Sequence, residues 1–189
     1  MAFQRHRSRW RHLAADGSTL RVLRVFAVQR RPEGRLSDRH CGKTADAIET
    51  LDAADARAAR AHLSPVTARR RALLSLQVRL LAAWKLKQPT RAEKLFAALA
   101  AESMKVALRR ADLSVLDWGQ GVLSLARGDA RSAVEAMKKC SEFDTVCRFM
   151  LVTARRAAGD KAGAAETLAR LKASPRRDGA YLYFWATMK

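Results

Sequence analysis

Nowhere in its 189 residues does the chain contain an uninterrupted apolar run long enough to cross a membrane as a helix. Prolines number four and tyrosines two, and runs of valine, isoleucine, phenylalanine and tyrosine are scarce. Strands draw on such runs, so little favours a sheet. Histidine is short as well: the four residues all lie at or before His62. No nucleophile, histidine and acid can therefore be grouped with a reason, and no catalytic residue, metal or cofactor is expected. His40-Cys41 has no second ligand pair at short spacing. "CGKT" (Cys41–Thr44) lacks both the upstream glycine of a phosphate loop, where Ser37 stands, and a preceding apolar strand. Cysteine is limited to Cys41, Cys140 and Cys147. An odd count without a secretory pattern predicts reduced thiols in a cytoplasmic setting.

Acidic residues are also few, 18 against 37 Lys/Arg, for a net charge of +19. The surplus is uneven. Residues 1–100 hold 21 basic and 8 acidic side chains, whereas residues 101–150 hold 8 and 7. Such a field speeds encounters with nucleic acid, an anionic membrane surface or an acidic protein. The plainer reading is that most of the arginines are solvated helix faces.

What the chain has in quantity is alanine within an apolar half of the composition. Alanine is the strongest helix former and buries little area per residue, which favours closely packed helices. The fold class is therefore all-α. Residues 1–43 lack a helical stripe and carry Pro32 and Gly34 as breakers. They are expected to be a poorly structured basic arm, a targeting segment or a stretch added by a displaced start, and residues 44–189 to be a helical domain. Within the arm, "TLRVLRVFAVQ" (Thr19–Gln29) fits a strand or a helix equally.

Helices are predicted over Thr44–Leu63, with Ile48, Leu51 and Leu63 as its larger apolar groups, and Val66–Lys87, capped by Ser64 with Pro65 in the first turn. The second carries a stripe of Leu73, Leu76, Leu80 and Trp84, widened by Leu74, Val78 and Leu81. Pro89 stops it, and "TRAE" (Thr90–Glu93) has the pattern of a capping box for the next helix, whose inner face is Ala92, Leu95, Phe96, Leu99 and Val106. Ser114 or Asp112 is expected to cap a helix with Leu116, Val122, Leu123 and Leu125. Asp129, Asp144 and Asp160 cap three more, and a last helix covers Gly179–Met188.

"GDARSAVEAM" (Gly128–Met137) and "GDKAGAAETL" (Gly159–Leu168) repeat one phrase at an interval of 31 residues. Glycine closes a helix in the left-handed conformation and aspartate receives the free amides of the next, which is a helical-hairpin signal. In Gly128, Ala133 and Met137, in Gly159, Ala164 and Leu168, in Ala92 with Phe96, and in Gly121, the chain resembles the tetratricopeptide-repeat family over about residues 70–189. It departs from the family where Asp117 replaces the usual tryptophan, with Trp118 one place off, and where Ser124 replaces tyrosine. Ala92, Ala133 and Ala164 are 41 and then 31 positions apart instead of evenly spaced.

That resemblance implies a right-handed solenoid of stacked helical hairpins acting as a non-enzymatic scaffold or adaptor for a protein or peptide, acidic by charge complementarity. It places Asp117, Gln120, Arg148 and Arg155 as candidate contacts on the first helices of the hairpins. Each is equally well read as solvated charge on a helix face. The alternative is nucleic-acid association through the basic arm, where "RHRSRWRH" (Arg5–His12) sets Trp10 among cations and "ARRR" (Ala68–Arg71) opens a helix. Cys140 and Cys147 sit at the end of one predicted helix and in the first turn of the next, where a disulfide is geometrically conceivable. Filling of a hairpin junction by two small thiols is the plainer reading. The crowded aromatics of "YLYFWATMK" are expected to seal the last hairpin or to dock onto another chain.

Overall fold

The computed structural model describes residues 37–105, 110–142 and 144–173, and among these it holds seven helices and no strand. They are α1 (Ser37–Arg60), α2 (Pro65–Lys85), α3 (Pro89–Met104), α4 (Arg110–Ala126), α5 (Ala130–Lys138), α6 (Thr145–Ala157) and α7 (Lys161–Ala173). The all-α expectation holds for them. Thr19–Gln29, Arg5–His12, Val106 and the aromatic segment after Gly179 lie outside the described residues.

The chain divides after Leu63. Helix α1 belongs to one unit, and α2 to α7 belong to a second, Ser64–Arg176. Helix α1 begins at Ser37, ahead of the expected Thr44, and continues through Gly42. It buries Leu51 and Ala54.

In the second unit each consecutive pair is joined by three residues and packs together: α2 with α3, α4 with α5, and α6 with α7. The three joints, Leu86–Gln88, Arg127–Asp129 and Ala158–Asp160, have one hydrogen-bond pattern. The first N–H of each donates to the carbonyl four residues back: Leu86 to Ala82, Arg127 to Leu123, Ala158 to Ala154. The third donates five back: Gln88 to Ala83, Asp129 to Ser124, Asp160 to Arg155. These bonds satisfy the last carbonyls of the outgoing helix, and they require a left-handed residue between them. Gly128 (φ 82°) and Gly159 (φ 81°) supply it in two joints, and Lys87 (φ 54°) supplies it in the third.

On the far side of each joint the fourth residue of the incoming helix is an alanine. The amides of Ala92, Ala133 and Ala164 donate to the carbonyls of Gln88, Asp129 and Asp160. All three alanines are buried. A methyl group is what the close approach of the paired helices leaves room for. The same approach explains Gly121 on α4. A Cβ there would lie 2.5 Å from Met137 Cγ and 3.2 Å from the Ala133 carbonyl oxygen.

The capping expectations hold at Ser64, whose Oγ accepts from the Thr67 amide at 3.3 Å. They hold also at Asp129, Asp144 and Asp160, which accept from the amides of Ser132, Cys147 and Gly163 at 2.9, 3.0 and 2.8 Å. Two fail. Helix α3 starts at Pro89 with Gln88 before it and no side-chain cap, so Thr90 is already inside the helix. Helix α4 starts at Arg110, ahead of both Asp112 and Ser114. The buried Ser114 hydroxyl instead accepts from the Ser141 amide at 3.0 Å, holding the end of α5 against α4.

Pairs are joined to pairs in two ways. Helix α3 packs on α4 and α5 on α6, while α2 also touches α4 and α4 touches α6. Helix α4 is thus surrounded, which is why it contributes Trp118, Val122 and Leu123 to the core. Helix α2 buries Val78, Leu80, Leu81, Ala82 and Ala83, whereas Leu73, Leu76 and Trp84 of its predicted stripe are only half-buried. Two neighbours, α3 and α4, draw its buried arc wider than a single stripe and shift it towards the C-terminal half. A two-pronged contact between the Arg127 guanidinium and Glu93 Oε1 (2.9 and 3.1 Å) fastens the second joint to α3. Both side chains are exposed, so it adds about 0–1 kcal/mol.

Candidate partner-binding face

Asp117 and Gln120 are both half-buried on α4, three positions apart and so on one side of that helix. Arg148 and Arg155 are half-buried on α6 at a spacing of seven. The two helices touch. The four residues therefore come from adjoining helices of the same kind, the first of the second and third pairs.

The two arginines are already engaged. Arg148 Nη2 donates to the Cys140 carbonyl at 3.4 Å, a long bond that leaves most of its donors unused. Arg155 is committed further. Its side chain is 16% exposed, Nη1 donates to the Gly163 carbonyl at 2.6 Å, and Nε lies 3.7 Å from Asp160 Oδ2. A Cβ on Gly163 would collide with this guanidinium and with the Asp160 carboxylate. Arg155 thus locks the α6–α7 joint, and of the four candidates it has the least freedom to meet a partner.

Helix α2 adds a one-sided charge. It carries Arg69, Arg70, Arg71, Arg79 and Lys85 and no acidic residue. Three arginines near a helix N-terminus oppose the helix dipole, which favours anions there. Part of this is offset internally, since Arg69 Nη2 donates to the Glu102 carbonyl at the end of α3 (2.6 Å). Arg70 is exposed beside Val66 on the same first turns, and Met104 is exposed at the end of α3. At the other end of α2, Lys85 Nζ lies 4.7 Å from the Trp84 ring centroid. Burial pushes the Lys85 ammonium down to about 8. Exposed Asp129 is lowered for a different reason: hydrogen bonds from the Ser132 hydroxyl and amide favour its carboxylate and hold it below the usual value.

Sequence reasoning missed the Lys85–Trp84 pair, because adjacency in sequence does not reveal that the lysine is half-buried. The acid-free run of α2 was legible in full. Among the described residues no group of three or more His, Cys, Asp or Glu is placed to hold a metal ion, and no helix is long and apolar enough to cross a membrane.

Comparison with known protein families, with curated proteins and with solved structures gave no match.

Proposed function

We propose that the chain is a non-enzymatic protein-binding module, built as a tetratricopeptide-like stack of helical hairpins that binds an acidic peptide or protein segment. One observation carries this reading: α2 touches α4 and α4 touches α6, so the first helices of three hairpins adjoin one another. In a right-handed hairpin solenoid that arrangement makes a continuous inner face for an extended partner. The basic, acid-free α2 supplies attraction for acidic side chains. Asp117, Gln120 and Arg148 supply polar contacts further along, and they set register more than affinity.

The test is affinity capture from lysate with the full chain, treated in parallel with nuclease and at two salt concentrations. A protein partner that persists after nuclease supports the reading, provided that Arg70→Glu, which reverses an exposed charge of α2, weakens its capture. Capture that disappears with nuclease supports instead nucleic-acid association, which the net charge of +19 favours. That binding would weaken steeply with salt and vanish when residues 1–43 are removed.

A further inference from the structure

Hydrogen bonds close the three joints within pairs, but the link from α5 to α6 is closed by sulfur. Cys140 and Cys147 are joined as a disulfide, with Cα atoms 6.4 Å apart. Three helices meet at this point. Cys140 follows α5, Cys147 lies in the first turn of α6 with its amide on Asp144, and the intervening Ser141 amide is held by Ser114 of α4. Arg148 of α6 reaches back to the Cys140 carbonyl. Cys140 is 3% exposed and Cys147 is fully buried.

We infer that Cys140–Cys147 is a structural disulfide, made as the chain folds and then sealed from exchange. It forms where thiol–disulfide chemistry runs in the oxidising direction. The pairing departs from the expectation of reduced thiols and leaves Cys41 as the third cysteine. Forming the bond removes two protons and two electrons from the two thiols, and a small-molecule or protein disulfide accepts them. One cysteine thiolate attacks that disulfide, giving a mixed disulfide and expelling one thiol. The second cysteine thiolate then attacks the protein-side sulfur and expels the other. Each attack needs a line of approach to sulfur. In the folded chain the buried pair offers none to an outside nucleophile, so exchange in either direction requires the α5–α6 link to open. Burial distinguishes this bond from a regulatory disulfide, which must stay accessible.

The experiment uses the full wild-type chain, refolded in a glutathione buffer weighted towards the oxidised form. It is then denatured and alkylated, and the adducts are counted by mass. One adduct is expected, with two more after reduction in denaturant. In the native state dithiothreitol should release the pair at least about tenfold more slowly than in denaturant. Loss of the bond should lower the melting temperature by roughly 10 °C, equally in Cys147→Ser and in the double variant C140S/C147S, since only one bond is removed. Three adducts from the refolded chain would overturn the inference. So would native reduction as fast as that in denaturant, because the bond would then be exchangeable and not sealed.

Discussion

The joint at Lys87 and the joints at Gly128 and Gly159 have the same backbone and different chemistry. All three are three residues long, all three pass through a left-handed residue, and all three lead to a buried alanine at the fourth position of the next helix. Two spell the turn Gly-Asp; the first spells it Lys-Gln, followed by Pro89. The difference teaches that packing downstream, not the turn residues, dictates this joint. Glycine and aspartate make it easier. Where they are absent, the packed helices still force Lys87 to a φ of 54°, a conformation that costs an ordinary residue about 1–2 kcal/mol.

If the fourth-position alanine is what the three joints serve, enlarging it should be the most damaging change and should damage all three alike. Ala92→Leu, Ala133→Leu and Ala164→Leu should each cost about 1–3 kcal/mol or more by overpacking, read as a lower urea midpoint at unchanged slope. Tolerance at Ala92 with damage at Ala133 would break the equivalence and set the first pair apart. Gly128→Ala and Gly159→Ala come next. Each adds a Cβ in the left-handed region where nothing crowds it, so the loss is conformational, about 1–2 kcal/mol.

The reverse change at the odd joint should stabilise. Lys87→Gly relieves the left-handed strain and should gain up to about 1 kcal/mol, reduced by the greater freedom of glycine in the unfolded chain. A neutral or negative effect in thermal melts would mean that the Lys87 side chain makes up for its backbone. Near this joint lies a pH effect with its own sign. Burial holds Lys85 at about 8 against an unfolded value of 10.5. The unfolded chain therefore binds more protons between those values, and stability should rise as pH is raised from about 8 to 10.5. Lys85→Met should remove that slope.

These joints also mark how far the sequence could be read. Gly-Asp announced two of them because glycine and aspartate are needed for reasons local to the turn. The joint at Lys87 carried no such signal, and only Ala92 hinted at it. The uneven spacing of the alanines has a simple source. From the first pair to the second, α3 and α4 are longer than α5 and α6, while the three-residue joint is unchanged. Helix length varies without disturbing the joint, so periodicity was the wrong measure of repetition. Trp118 was visible as an irregularity and proved to be core, because α4 has neighbours on several sides. Arg155 could not have been recognised as a lock from spacing alone, since its partner is the Gly163 carbonyl, which any residue would present.

The smallest expected effect is the most discriminating. Gln88 precedes α3 as Asp129 precedes α5, yet its side chain makes no cap. Its Oε1 accepts instead from the Arg91 guanidinium at 3.2 Å. The amide that Asp129 captures belongs to Ser132, three residues on, and the equivalent amide here is that of Arg91. Gln88→Asp should therefore gain about 0.5–1 kcal/mol by building the missing cap. The gain should depend on charge. A capping carboxylate has its folded value held below the unfolded one, so the stabilisation is present above the unfolded value and is lost as pH falls through the folded one. Melts of the variant and the parent should thus differ at neutral pH and converge in acid. A gain that persists in acid would come from helix propensity or from the altered contact with Arg91, and the first joint would then differ from the other two in more than its residues.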